Sequence, residues 1–170
     1  MDLARAAPMA FDLEAELLAT YPALHRRLTL VLRDATAAED VAQAAFARAL
    51  ERRSSFRGGD VRAWFYTIGL RLAFNELRRR RRAPERDDGA GRAAAAEYLE
   101  PAWAMSSEPD LWLALAELPP EHRAALVLST LEGYTHREIG SILGVAEGTV
   151  SSWLSRTKAH LRGVLGDNEP

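Results

Sequence analysis

Apolar side chains recur along this chain at intervals of three and four residues, and the recurrence breaks at a few well-marked places. Phe11, Leu17, Leu18, Tyr21, Leu24, Leu28 and Val31 share helical spacing, which predicts a helix over residues 11–31 with Pro22 as a kink or a break. Thr36 and Glu39 have capping-box spacing. The helix they predict carries Val41, Ala42, Ala45, Phe46, Ala49 and Leu50 on one face. It should stop near Arg53, where Ser54, Ser55, Gly58 and Gly59 supply turn chemistry, and Asp60 can cap a third helix running to about Arg82.

Beyond Pro84 the pattern dissolves. Residues 83–107 read as an acidic linker with one short helical turn. Ser107 to Asp110 then resemble a new start leading to Leu111, Leu115 and Leu118, ended by Pro119 and Pro120. Ala125, Leu128 and Leu131 mark the next helix, closed by Gly133 and Tyr134. Thr135 and Glu138 form another capping-box pair ahead of Ile139, Ile142 and Leu143. Gly144 and Val145 make a turn, and Val150, Leu154 and Leu161 line a last helix. The β-branched runs of sheet proteins are missing. The expected fold is therefore all-α: two small helical domains, over residues 1–82 and 108–166, joined by the linker at 83–107.

Composition narrows the chemistry. The 170 residues contain no cysteine, which excludes disulfides, thiolate zinc sites, iron–sulfur clusters and cysteine nucleophiles. The four histidines, His25, His122, His136 and His160, lack metal-ligand spacing. No glycine loop resembles a phosphate cradle, and the carboxylates cluster at helix starts, where capping accounts for them. No enzymatic role and no cofactor is expected. No apolar stretch approaches the roughly 20 residues of a membrane span, and residues 1–10 lack the apolar segment of a signal peptide, so no membrane insertion and a cytoplasmic location are expected.

The net charge of −2 conceals a strong asymmetry. Residues 48–86 hold 12 arginines against 4 acids, whereas residues 87–121 hold 1 basic side chain against 8 acids. The basic segment includes the run Arg78 to Arg82, which is either a footprint for a polyanion, nucleic acid first, or a solvated helix end favoured by the helix dipole. Thr67, Arg71, Asn75, Arg78 and Arg82 share one stripe of an otherwise apolar helix. Arg and Asn are the side chains best shaped for bidentate contacts to guanine and adenine. Phe56, Trp64, Phe65 and Tyr66 lie among Arg53, Arg57 and Arg62, a mixture that can stack unpaired bases, although each aromatic alone also suits a core. In the last helix Gly148, Ser151, Ser152, Ser155 and Arg156 fall away from the apolar stripe and suit insertion into a groove of DNA. An ordinary helical hairpin is the alternative there.

These strings resemble a known family. Residues 38–50 (AEDVAQAAFARAL), 62–68 (RAWFYTI) and 77–79 (LRR) resemble region 2 of bacterial extracytoplasmic-function sigma factors, group IV of the sigma-70 family. Residues 115–120 (LAELPP), 132–135 (EGYT), Glu138 with Ile139, Leu143 to Val145 and Gly148 to Val150 resemble the helix-turn-helix of region 4.

The resemblance implies a region 2 bundle of three or four helices and a region 4 helix-turn-helix. It also implies a factor that directs core RNA polymerase to promoters and assists melting. Polymerase contacts, to the clamp of the beta-prime subunit, are expected at Asp40, Val41, Gln43, Phe46 and Arg48, with the flap of the beta subunit as a second docking point. Minus-ten and melting contacts are expected at Arg53, Phe56, Arg57, Trp64, Thr67, Arg71, Asn75, Arg78, Arg79 and Arg82. Minus-thirty-five contacts are expected at Thr135, Arg137, Glu147, Gly148, Thr149, Ser151, Ser152, Ser155 and Arg156. Promoter DNA and an anti-sigma factor complete the expected partners. A free-standing helix-turn-helix regulator and a sigma-like protein-binding adaptor are the competing readings.

Overall fold

The computed structural model describes residues 11–82 and 109–166, so the linker read at 83–107 lies outside the described residues. Those residues form seven α-helices and one 3-10 turn: α1 (Leu13–Leu32), α2 (Ala35–Glu51), the turn Arg53–Ser55, α3 (Val61–Arg82), α4 (Pro109–Glu117), α5 (Pro120–Thr130), α6 (His136–Leu143) and α7 (Glu147–Gly166). Among them no helix is long and apolar enough to cross a membrane.

The first three helices pack mutually. Asp12 caps α1 by accepting from the Glu14 and Ala15 amides, and Glu14 and Glu16 in the first turn complement the positive end of the helix dipole. Pro22 does not break α1. Proline deprives the carbonyl of Leu18 of its helical partner, but Leu18 and Pro22 share the exposed face, where water can satisfy that group. The α2 start also departs from the expected Thr36 and Glu39 box. Asp34 is the N-cap and accepts from the Ala37 amide at 2.9 Å. Glu39 turns instead to the Tyr21 hydroxyl at 3.0 Å and the Gln43 amide at 2.8 Å.

Close approach is the rule in this bundle. Ala37, Ala38, Ala42, Ala45 and Ala49 line the buried face of α2, so its backbone comes near α1 and α3. Gly69 does the same on α3, since a Cβ there would stand 2.8 Å from Leu24 Cδ1. Leu17, Leu24, Leu28, Val31, Phe65, Tyr66, Leu70 and Ala73 fill the remaining core. Burying each of the larger of these contributes about 1.5–3 kcal/mol. Asp60 accepts from the Ala63 amide at 3.1 Å, as its capping role requires, and α3 then runs unbroken to Arg82.

In the second unit the capping box at Thr135 and Glu138 is complete in both directions. Gly144 ends α6 at φ 72°, a left-handed conformation natural to glycine, and the Val145 amide donates to the Gly140 carbonyl at 2.9 Å. Ile139, Ile142, Val150, Leu154 and Thr157 close the core between α6 and α7.

The two units pack against each other, α5 on α1 and α6 on α3, and their buried residues form one continuous cluster. Arg123 of α5, 6% exposed, donates through Nη2 to the Val31 carbonyl at 2.9 Å. Its Nη1 donates to Leu115 O at 3.1 Å and Ala116 O at 3.3 Å. A cation at the carbonyl ends of α1 and α4 also meets the negative ends of two helix dipoles.

Gly140 is the position where the helix-turn-helix tolerates no side chain, because a Cβ would lie 2.7 Å from the Val145 carbonyl oxygen, a backbone atom. Gly140→Ala should destabilise the fold by about 1–3 kcal/mol in urea unfolding. Gly148→Ala, at a helical site with open space, should instead stabilise it by up to about 1 kcal/mol.

Candidate nucleic-acid and protein interfaces

The residues singled out for DNA contact in the first unit separate into two surfaces. Along α3, Arg71, Asn75, Arg78 and Arg82 are all exposed on one side, and Thr67, partly covered, begins the same track. Arg78 donates to the Asn75 side chain, so the pair is held side by side. Arg79 is diverted. Its guanidinium makes a bidentate pair with Glu76 at 2.9 and 3.0 Å, while Arg80 bridges Glu76 and Asp34. The hydrogen bond from Arg79, then that from Arg80, holds the Glu76 carboxyl below the usual carboxylate range. The basic run therefore divides. Arg80 braces α3 against the start of α2, Arg79 is paired within α3, and Arg71, Arg78, Arg81 and Arg82 make no ion pair among the described residues.

The second surface is a row of rings. Phe56 stacks on Phe11 at 5.8 Å with planes 20° apart, and lies 5.3 Å from Trp64 at 51°. Exposed Arg53 and Arg57 flank it, and Gly58 and Gly59 continue the loop at φ 91° and 97°. Flat apolar faces beside guanidinium groups provide the chemistry that holds unpaired bases. The aromatic run splits here, because Phe65 and Tyr66 are 0% and 1% exposed and belong to the core. Phe11 joins the row from a position outside the motif, and only its place in the fold reveals it.

The α2 residues assigned to a protein contact also divide. Asp40, Gln43 and Arg48 are exposed. Val41 is 8% exposed, and Phe46 packs edge-on against Tyr21 and Phe65. Both support the helix from within. Burial, followed by the Glu39 hydrogen bond, pushes the Tyr21 hydroxyl up to about 12, so it remains a donor to Glu39 at neutral pH. An open groove of about 480 Å³ runs between α2 and α3, with Asp40 on one wall and Asn75 and Arg79 on the other.

In the second unit Glu147, Gly148, Ser152, Ser155 and Arg156 are exposed along α7, with Thr149 partly so, and Thr135 and Arg137 are exposed at the start of α6. Ser151 is spoken for, its hydroxyl lying 2.7 Å from His136 Nδ1 and joining α6 to α7. Trp153 packs against His122 with ring centres 5.3 Å apart. Burial, then Arg156, holds His122 below the usual imidazole range, so a neutral ring faces the indole at neutral pH.

A third feature joins residues far apart in the sequence. Glu132, its side chain 2% exposed, sits between Arg27 Nε at 2.7 Å and Arg62 Nη1 at 3.2 Å. Beside it the Tyr134 hydroxyl donates to Asp60 at 2.9 Å, and Tyr66 and Tyr134 meet edge to face. Trp64 and Thr67 of the first unit thus share a cleft of about 240 Å³ with Tyr134, Glu138, Ser141 and Ile142 of the second.

Comparison with known proteins matches the two units separately. The sigma-70 region 2 family matches residues 17–83, and sigma-70 region 4 matches residues 110–161. The chain is 31% identical to the ECF RNA polymerase sigma factor EcfG of Rhodopseudomonas palustris over 160 residues, covering 93% of this chain and 87% of the relative. It is also 31% identical to the RNA polymerase sigma factor CarQ of Myxococcus xanthus, covering 87% and 86%. Among solved structures it is similar to the sigma factor RpoE of Bartonella quintana in its complex with the anti-sigma factor NepR. The TM-score is 0.72 at 26% identity, over 91% of this chain and 97% of that one.

The row of rings makes a direct prediction. Phe56→Ala removes the ring that touches both Phe11 and Trp64, and should weaken binding of a single-stranded oligonucleotide by about 1–3 kcal/mol in a fluorescence titration. Leu113→Ala, at an exposed site on α4, should leave that affinity unchanged.

Proposed function

The chain belongs to the extracytoplasmic-function sigma factors of the sigma-70 family, and from that premise we propose how its surfaces divide the work of directing core RNA polymerase to promoters. It acts as a specificity subunit, with the chemistry left to the polymerase, and falls in group IV of the family. Residues 1–82 form the region 2 domain, 83–107 a linker and 108–166 the region 4 domain. The observation that carries the reading is the coexistence, in one chain, of an exposed Arg and Asn track on α3 and a helix-turn-helix presenting small and hydroxyl side chains.

Each surface suits one partner. Asp40, Gln43 and Arg48 present an exposed polar face of α2 to the clamp of the beta-prime subunit, with Val41 and Phe46 supporting it from inside. Arg71, Asn75, Arg78 and Arg82 follow the minus-ten element, where Arg and Asn can read base edges and the terminal arginines hold phosphates. Arg53, Phe56, Arg57 and Trp64 receive unpaired bases as the duplex opens. Gly148, Thr149, Ser152, Ser155 and Arg156 enter the minus-thirty-five groove. Gly148 lets the helix come close, and the remaining side chains reach phosphates and base edges. Region 4 also contacts the flap of the beta subunit. The complex of the Bartonella quintana relative with NepR supports an anti-sigma factor as a further partner here.

In vitro transcription tests the assignment. Core polymerase with this chain should initiate at specific promoters of a genomic library, and duplex binding by the chain alone with no transcript would overturn it in favour of a free-standing regulator. Arg71→Ala and Arg78→Ala should each lower promoter discrimination by about 1–3 kcal/mol while leaving the affinity for core polymerase unchanged.

A further inference from the structure

We propose that Glu132 is an internal stand-in for a nucleic-acid phosphate: it occupies a seat made by Arg27 and Arg62 and so holds the second unit over the base-binding face of the first. The inference rests on the sigma factor reading and adds to it a binding pair and a regulatory contact.

Two guanidinium groups from different helices, α1 and α3, converge on one carboxylate that is almost entirely withdrawn from water. Neither oxygen is wasted: Oε1 takes Arg27 and Oε2 takes Arg62. A carboxylate and a phosphodiester present similar paired oxygens to guanidinium forks, so a seat that accepts one can accept the other. The seat is also in the right neighbourhood. Arg62 is two residues from Trp64 and 55% exposed at its side chain, on the rim of the contact. Asp60, which caps α3, is tied to Tyr134 of the second unit.

The consequence is steric. While Glu132 is seated, α6 lies over α3, and Trp64 and Thr67 face Glu138, Ser141 and Ile142 across a narrow cleft. Glu138 adds a second carboxylate to that cleft. A strand of nucleic acid approaching Trp64 meets negative charge and a covered face until Glu132 leaves. Its departure frees two arginines next to the stacking surface. The contact that closes the molecule is therefore the one that nucleic acid exchanges for its own phosphate, and the affinity for DNA is set by competition with the chain's own carboxylate.

The chain's lack of cysteine makes the test direct. Single cysteines at exposed Glu51 and Lys158, one in each unit, carry a Förster pair on the full chain. Glu132→Gln and Glu132→Ala should lower the transfer efficiency and tighten binding of a labelled oligothymidine strand about fivefold or more. The double variant Arg27→Ala with Arg62→Ala should lower the transfer in the same way but weaken oligothymidine binding, with the salt slope reduced by about one for each arginine. Opposite effects on the strand with a shared effect on the distance support the exchange. Unchanged transfer in both Glu132 variants, or a shift of strand affinity in the same direction for both classes, would overturn it. Far-UV circular dichroism confirms that the isosteric Glu132→Gln chain is folded. Promoter-directed transcription by the wild-type chain tests the sigma factor reading independently, because neither the distance nor the oligothymidine measurement involves polymerase.

Discussion

Arg123 donates to three carbonyl oxygens at helix ends: Val31 near the end of α1, and Leu115 and Ala116 near the end of α4, where the Leu118 amide also reaches Leu115. The last carbonyls of an α-helix always need an outside donor, and burial removes water from the choice. One guanidinium serves both helix ends and thereby fixes where α5 lies against α1. Burial, with Arg33 adding repulsion, lowers its ionisation to about 10, which still leaves it charged at neutral pH. The arrangement of the second unit over the first depends on that cation. From it follow the position of Tyr134 beside Asp60, the closing of Glu132 between two arginines and the covering of Trp64.

A bundle built on small side chains makes this fixed placement possible. The alanines of α2 and Gly69 of α3 bring three backbones close enough that Phe65, Tyr66 and Leu70 fill the space between them. Dense packing of this kind leaves little freedom for a helix to rotate about its axis. The outward stripe of α3 is accordingly presented in one orientation. Glu76 and Asp34 then select among the arginines at its end, taking Arg79 and Arg80 into the scaffold and leaving the others for a partner. Total positive charge overstates the available positive charge, because two of the arginines in the run are already neutralised from within.

The helix-turn-helix reaches its rigidity by local means. A complete capping box, a left-handed glycine and a hydroxyl tied to His136 fix α6 and α7 within a span of 32 residues. None of these contacts needs the first unit. The face of α7 that carries Gly148, Ser152, Ser155 and Arg156 remains open, whereas α6 is drawn toward α3. The two candidate DNA surfaces consequently differ in access, one free and one half-covered.

Local chemistry was readable from the amino acids alone wherever the deciding partner lay within a few residues. The Thr135 and Glu138 box, the Gly144 turn, the Asp60 cap and the length of α3 all belong to this class, since capping and periodicity act over one or two turns. The Thr36 and Glu39 pair points two residues past the true N-cap of α2, because Asp34 and Thr36 are both good N-caps and a distant partner, Tyr21, draws Glu39 away. Val41 and Phe46 share a helix with Asp40 and Gln43, and only the packing of α1 and α3 against α2 determines which of them face water. Nothing in their neighbourhoods marks the pairing of Glu132 with Arg27 and Arg62, or of Arg123 with its carbonyls. Arg27 and Glu132 are 105 residues apart, and Arg123 and Val31 are 92 apart. A charge is buried only when folding delivers its counter-charge or its carbonyls, so the sequence set the helices and their outward chemistry, and the tertiary structure alone decided which charges would be spent inside.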